Sequence, residues 1–147
     1  MTREDDDRPR TRPDTAVSIA IVVSSVGGAL TAWLPWHSLV GGMIEVRGFE
    51  RLEGKVFIAA LTLAAILAGY HVLAGGPLPA RTLVAATATA VGAASVYLFV
   101  MGRPESSFHE FMRTVLKGTF CPGILFASVA AITAFVLSLS SLRRRSH

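Results

Sequence analysis

Residues 15–44, 56–80, 82–102 and 118–142 contain no Asp, Glu, Lys or Arg, and together these stretches make up more than two thirds of the 147 residues. Charged residues are 16% of the chain, where soluble domains average about 25%. A soluble helical bundle is excluded, because each of its helices needs a charged outer face. With 52% of residues hydrophobic, disorder is excluded as well. The lone cysteine, Cys121, rules out an intramolecular disulfide and the paired thiols of membrane thiol oxidoreductases. No glycine-rich phosphate loop, nucleophile elbow or Ser-x-x-Lys occurs at an accessible position. The net charge of +4 suggests nucleic acid at first sight, but the basic residues sit in the gaps between apolar runs rather than in a patch interleaved with aromatics.

What is present is a set of long apolar runs. A hydrocarbon core roughly 30 Å thick is crossed by about 20 helical residues at about 1.5 Å each. The sequence therefore predicts an all-α membrane protein, a four-helix transmembrane bundle with spans at about 15–34, 56–73, 81–101 and 123–142. The first fourteen residues read as a disordered charged tail, and residues 143–147 as a basic C-terminal tail. The first run is long, and acidic as well as basic residues precede it, so it reads as a retained span rather than a signal peptide. Gly75-Gly76-Pro77-Leu78-Pro79 joins the second and third spans as a hairpin.

Four spans place eight basic residues on the side of both termini and six on the other, which predicts cytoplasmic termini in a cell membrane or, equally, in a virion envelope. Trp33 and Trp36 bracket Pro35 and, with Tyr97, mark the far interface; Arg143, Arg144 and Arg145 anchor the near one. Between the third and fourth spans, Phe108, Phe111, Met112, Val115 and Leu116 recur at helical spacing behind a Ser107-x-x-Glu110 capping box. They predict a short amphipathic helix over 107–117 lying in the interface, either as a lid or as cover for apolar surface. In the first gap, Met43–Arg47 alternates as a short strand or turn.

Spans in lipid associate through small residues and close packing. Four-residue rows predict contact faces at Ser24, Gly28 and Ala32 in the first span and at Ala60, Ala64 and Ala68 in the second, with Gly69 alongside. The third span offers Ala86, Ala90 and Ala94 with Gly92 alongside, and the fourth Ala127, Ala131 and Ser138. Leu61, Leu98, Phe126 and Phe135 are then expected to face lipid or fill wider gaps.

Chemistry is sparse. The spans hold no carboxylate or cation, and His71 is their one imidazole, so no proton relay of the usual kind is visible. A proton-coupled exporter of the small multidrug type has a similar size but depends on a membrane carboxylate missing here. Claudin-like four-span proteins share a Trp-rich segment after the first span but carry a cysteine pair there. His37, His109 and Cys121 would lie on one side without the spacing of a metal site, and Glu45, Glu50 and Glu53 are balanced by Arg47, Arg51 and Lys55.

Trp33-Leu-Pro-Trp36, the glycines Gly41, Gly42 and Gly48, Glu53-Gly54 before the second span, and Cys121-Pro-Gly-Ile124 opening the fourth form a pattern over about 15–142. It resembles small four-span membrane proteins of haloarchaea and actinobacteria, in which a Trp-x-x-Trp-type boundary is followed by a loop ending in Asp-Gly or a similar pair, and a Pro-Gly or Gly-x-Gly step starts the last helix. This chain departs from them in using Glu53 as the acidic residue and in its longer third loop. That family has no established activity, so the resemblance implies topology alone.

The function expected is a non-enzymatic structural or accessory subunit of a membrane assembly. Its partners would be the lipid bilayer and other membrane subunits or further copies of itself, without nucleic acid, cofactor or metal. The alternative is a transporter or channel for a neutral or lipid-like solute, with a groove lined by Ser24, Ser25, Thr31, Thr87, Thr89 and Ser95.

Overall fold

The computed structural model describes residues 12–39, 43–75, 77–102 and 119–145. Residues 1–11, Gly41, Gly42 and the interfacial helix expected at 107–117, with Phe108, Phe111, Met112, Val115 and Leu116, lie outside the described residues. Four helices dominate: α1 (Arg12–Thr31), α2 (Leu52–Ala74), α3 (Ala80–Gly102) and α4 (Pro122–Arg145). Three short strands, β1 (Pro35–Leu39), β2 (Ile44–Arg47) and β3 (Thr119–Phe120), form an antiparallel sheet in the order β2-β1-β3. α1 and α3 each pack against both α2 and α4, so the helices close a four-membered ring. α2, α3 and α4 are each long and apolar enough to cross a membrane, whereas the apolar helical run of α1 is the shorter Thr15–Thr31.

The helix ends follow from local chemistry. α1 begins at Arg12, inside the expected tail, and stops before Pro35; its last carbonyls are taken by a tightened turn, with Trp33 N–H donating to Leu30 O and Leu34 N–H to Thr31 O, both at 3.1 Å. α2 ends on Gly75 in the left-handed conformation, φ 65°, whose N–H donates to His71 O at 3.1 Å. α4 runs through Arg143 and Arg144 to Arg145. These arginines are thus the last helical turn rather than a tail, where cations complement the helix dipole.

Packing follows a three-four alternation. The buried positions are Ser18, Ile21, Ser25 and Gly28 on α1, with Ala32 in the turn after it; Gly54, Phe57, Ala60, Leu61, Ala64 and Ala68 on α2; Ala80, Leu83, Ala86, Thr87, Ala90, Ala94 and Tyr97 on α3; and Gly123, Ile124, Ala127, Ala131, Ala134, Ser138 and Ser141 on α4, so the expected rows Ala60, Ala64, Ala68 and Ala86, Ala90, Ala94 all face inward. At about 100° per residue a strict four-residue row drifts off the seam, whereas alternating threes and fours keep to it. For this reason Ser25, not Ser24, faces the interior of α1, and Ser24 is half-buried. Gly92 is also corrected: it is exposed, and a Cβ built on it meets nothing within 4 Å. Gly69 is half-buried against Val22, and Leu61 takes the second of its two expected places, fully buried in the gap beside Gly28.

The interior has two clusters. The one near the sheet contains Trp36, Phe57, Leu61, Tyr97 and Ile124 among alanines of all four helices. The other, near the α2–α3 hairpin, gathers Ile21, Ala64, Ala68, Leu78, Leu83 and Ala86.

Candidate functional site

The most constructed part of the molecule is its sheet end. Pro35 stops α1 and opens β1, whose pairing with β2 runs Pro35↔Arg47, His37↔Val46, Ser38↔Glu45 and Leu39↔Ile44. The register slips between Pro35 and His37, so Trp36 occupies a β-bulge, the device that re-aims a side chain out of strand alternation. Trp36 is carried into the helix interior and is fully buried. Its Nε1–H donates to the Thr31 carbonyl at 3.0 Å, satisfying a helix-end acceptor. Its ring meets Phe57 edge-on at 5.0 to 5.5 Å centroid range, 5.5 Å for Phe57 and 5.0 Å for Tyr97, both near-perpendicular, the geometry favoured by aromatic quadrupoles.

Three glycines make room for this plug. A Cβ on Gly48 would lie inside the Trp36 indole, one on Gly54 would overlap the Gly48 carbonyl, and one on Gly123 would come within 2.5 Å of the Pro35 carbonyl oxygen. Gly48 opens a single 3₁₀ turn, Gly48–Glu50, in which the Arg47 N–H donates to Glu50 Oε2 at 3.1 Å. Phe49 N–H donates to Ala32 O and Cys121 N–H to Trp36 O, both at 3.1 Å. The loop before α2 is thereby bonded to the turn that ends α1, and the loop before α4 to β1. Trp36, Gly48, Gly54, Cys121 and Gly123, from three separate stretches of the chain, meet at this one place.

Placement sorts the other expected residues. Trp33 is exposed and stacks at a tilt on Phe49 at 6.1 Å, so it keeps a surface position. Trp36 and Tyr97, read as interfacial anchors, are instead core: both have no solvent exposure. The Tyr97 hydroxyl has no hydrogen-bond partner among the described residues, and Arg51, Glu53 and Cys121 lie within its electrostatic range. Arg143 and Arg144 are exposed at the far end of α4. Gly28, Ala32, Ala64 and Ala68 lie on helix contacts. The importance of Gly48, Gly54 and Gly123 is missed by a search for small-residue rows; the available signal was their place in the loop pattern beside Trp36 and Pro122.

The hydroxyls expected to share a groove do not converge. Thr89 and Ser95 are exposed and donate to Ala85 O and Val91 O on their own helix, each at 2.8 Å. Thr31 donates to Gly28 O at 2.6 Å and the buried Thr87 to Leu83 O at 2.9 Å. Ser25 borders a groove of about 390 Å³ between α1 and α2, lined also by Val26, Ala29, Trp33, Ala65 and Ile66. Among the described residues no three His, Cys, Asp or Glu side chains gather to hold a metal ion. No protein-family model, curated protein or solved structure matches the chain.

Proposed function

We propose that this is an integral membrane protein crossing the bilayer four times, with both termini in the cytoplasm, that serves as a structural or accessory subunit of a membrane assembly. The observation that carries the reading is the reversal of side-chain size between inside and outside. Apart from the sheet-end aromatics and a few residues such as Ile21, Leu61, Leu83 and Ile124, the interior seams are mostly alanine, serine and glycine, while Val23, Ile66, Leu73, Phe99, Phe126 and Val129 are more than half exposed. Each such residue placed in water rather than a hydrocarbon phase costs about 1.5–3 kcal/mol, and lipid removes that cost around the whole ring. The α1 run Thr15–Thr31 is extended by the turn at 32–34, which brings it to about 20 residues and about 30 Å, enough for a fourth crossing.

The accessory role is supported by a filled interior. Trp36, Phe57 and Tyr97 close the sheet end, and Thr87 and Ser138 turn their hydroxyls to their own helices at 2.9 and 2.7 Å. Such a bundle holds a shape and presents its outer loops. Cross-linking in native membranes followed by gentle solubilisation tests this: the chain is expected in a particle with a second membrane subunit or a second copy. Recovery solely as a cross-link-free monomer would contradict it.

A further inference from the structure

The two ends of the ring differ in charge. Among the described residues, Glu45, Glu50 and Glu53 at the sheet end are matched in number by Arg47, Arg51 and Lys55, whereas at the hairpin end α3 opens with Arg81 and α4 closes through Arg143 and Arg144, and neither of these helices contains an Asp or Glu. The excess is concentrated on one pair of helices. α3 and α4 pack antiparallel, with Ala90, Ala94 and Tyr97 sharing a cluster with Ile124, Ala127 and Ala131. Continuing that register away from the sheet brings Arg81, at the start of α3, to within about one helical turn of the level of Arg143 and Arg144, at the end of α4. All three are exposed.

We propose that this α3–α4 rim binds the phosphate headgroup of anionic phospholipid. Guanidinium groups present forked donors that match phosphate oxygens two at a time. The rim lies where a helix pair leaves the hydrocarbon, the depth at which lipid phosphates sit. Each basic residue near an anionic surface contributes a factor of about five in association, so three together give about a hundredfold. The described residues of the sheet end, with acids and bases equal in number, offer no such preference. The proposal rests on the membrane-spanning reading, and adds to it a headgroup chemistry and a place.

The full chain reconstituted in phosphatidylcholine vesicles, doped with trace spin-labelled phosphatidylglycerol or spin-labelled phosphatidylcholine, tests it. Phosphatidylglycerol is expected to be strongly preferred in the motionally restricted population. The R81Q/R143Q/R144Q variant should lose most of that preference while keeping its helical circular dichroism, and R81K/R143K/R144K should retain most of it. Equal association of the two lipids, or a preference unchanged in the glutamine variant, overturns the proposal. Inorganic phosphate is expected to compete no better than chloride at equal ionic strength; its selective displacement of the lipid would mark a site for free phosphate and overturn the lipid assignment. Failure of the chain to remain with carbonate-washed vesicles would instead remove the membrane reading itself.

Discussion

A methyl group on Gly54 would have to occupy the space of the Gly48 carbonyl oxygen, and backbone on both sides leaves nothing flexible to yield. Gly54→Ala is therefore expected to lower stability by about 3 kcal/mol or more, at or beyond the upper range for overpacking. Gly92→Ala, in open space on a helix, should be neutral or stabilising by up to about 1 kcal/mol through helix propensity. Thermal unfolding of the two variants in the same detergent checks the contrast. Trp36→Ala empties the plug and should cost about 3–5 kcal/mol by the same measurement, because the indole fills the centre of the sheet-end cluster and bonds Thr31. Trp33 and Trp36 look equivalent in the sequence, two indoles bracketing a proline. What separates them is the bulge at Trp36, whose partner strands lie at 44–47 and 119–120, too distant in the chain for local pattern to reveal.

At the scale of the element, the seam between α1 and α2 is a knob in a notch. A Cβ on Gly28 would stand 2.7 Å from Leu61 Cδ1 and 3.1 Å from Ala130 Cβ, so Leu61 fills the space that glycine leaves. Gly28→Leu is expected to destabilise by about 1–3 kcal/mol, and Leu61→Ala by about 2–5 kcal/mol. Combined, the two should cost less than their sum, since the shortened side chain vacates the room the longer one requires. A double-mutant cycle on unfolding midpoints measures that coupling; strict additivity would mean the two residues do not share the notch. The helices themselves were legible to within a few residues, because charge-free runs, Pro35, Pro122 and the Gly75 stop act locally. Their inward faces were legible only in part. Alanine is abundant on every side of these helices; the four-residue rows place Ala60, Ala64 and Ala68 and Ala86, Ala90 and Ala94 on buried positions, but they also favour Ser24 over the buried Ser25 and set the exposed Gly92 alongside. Which of the two expected places Leu61 takes, lipid or a gap in the packing, was not legible, because the gap it fills is made by a glycine on another helix.

For the molecule as a whole, the apolar class and the number of helices follow from composition, while the sheet that ties the loops to the end of α1 does not. That sheet sets β1 between two strands that both follow it in the chain, one nearby and one beyond the third helix, and with the aromatic plug it makes the sheet end the tightly fitted part of the ring. The hairpin end is held by smaller side chains and carries the excess of arginine. Such an arrangement fits a protein whose one face is a built surface and whose other rests on charged lipid. The account depends above all on α1, whose apolar run is shorter than those of α2, α3 and α4. If α1 crosses the membrane, the two chain ends share a side; if it does not, three crossings leave them on opposite sides. Sealed, uniformly oriented vesicles bearing the full chain with a different epitope at each end, treated with external protease, decide between the two. The account predicts that both epitopes are cleaved together or protected together, and loss of one with protection of the other would contradict it.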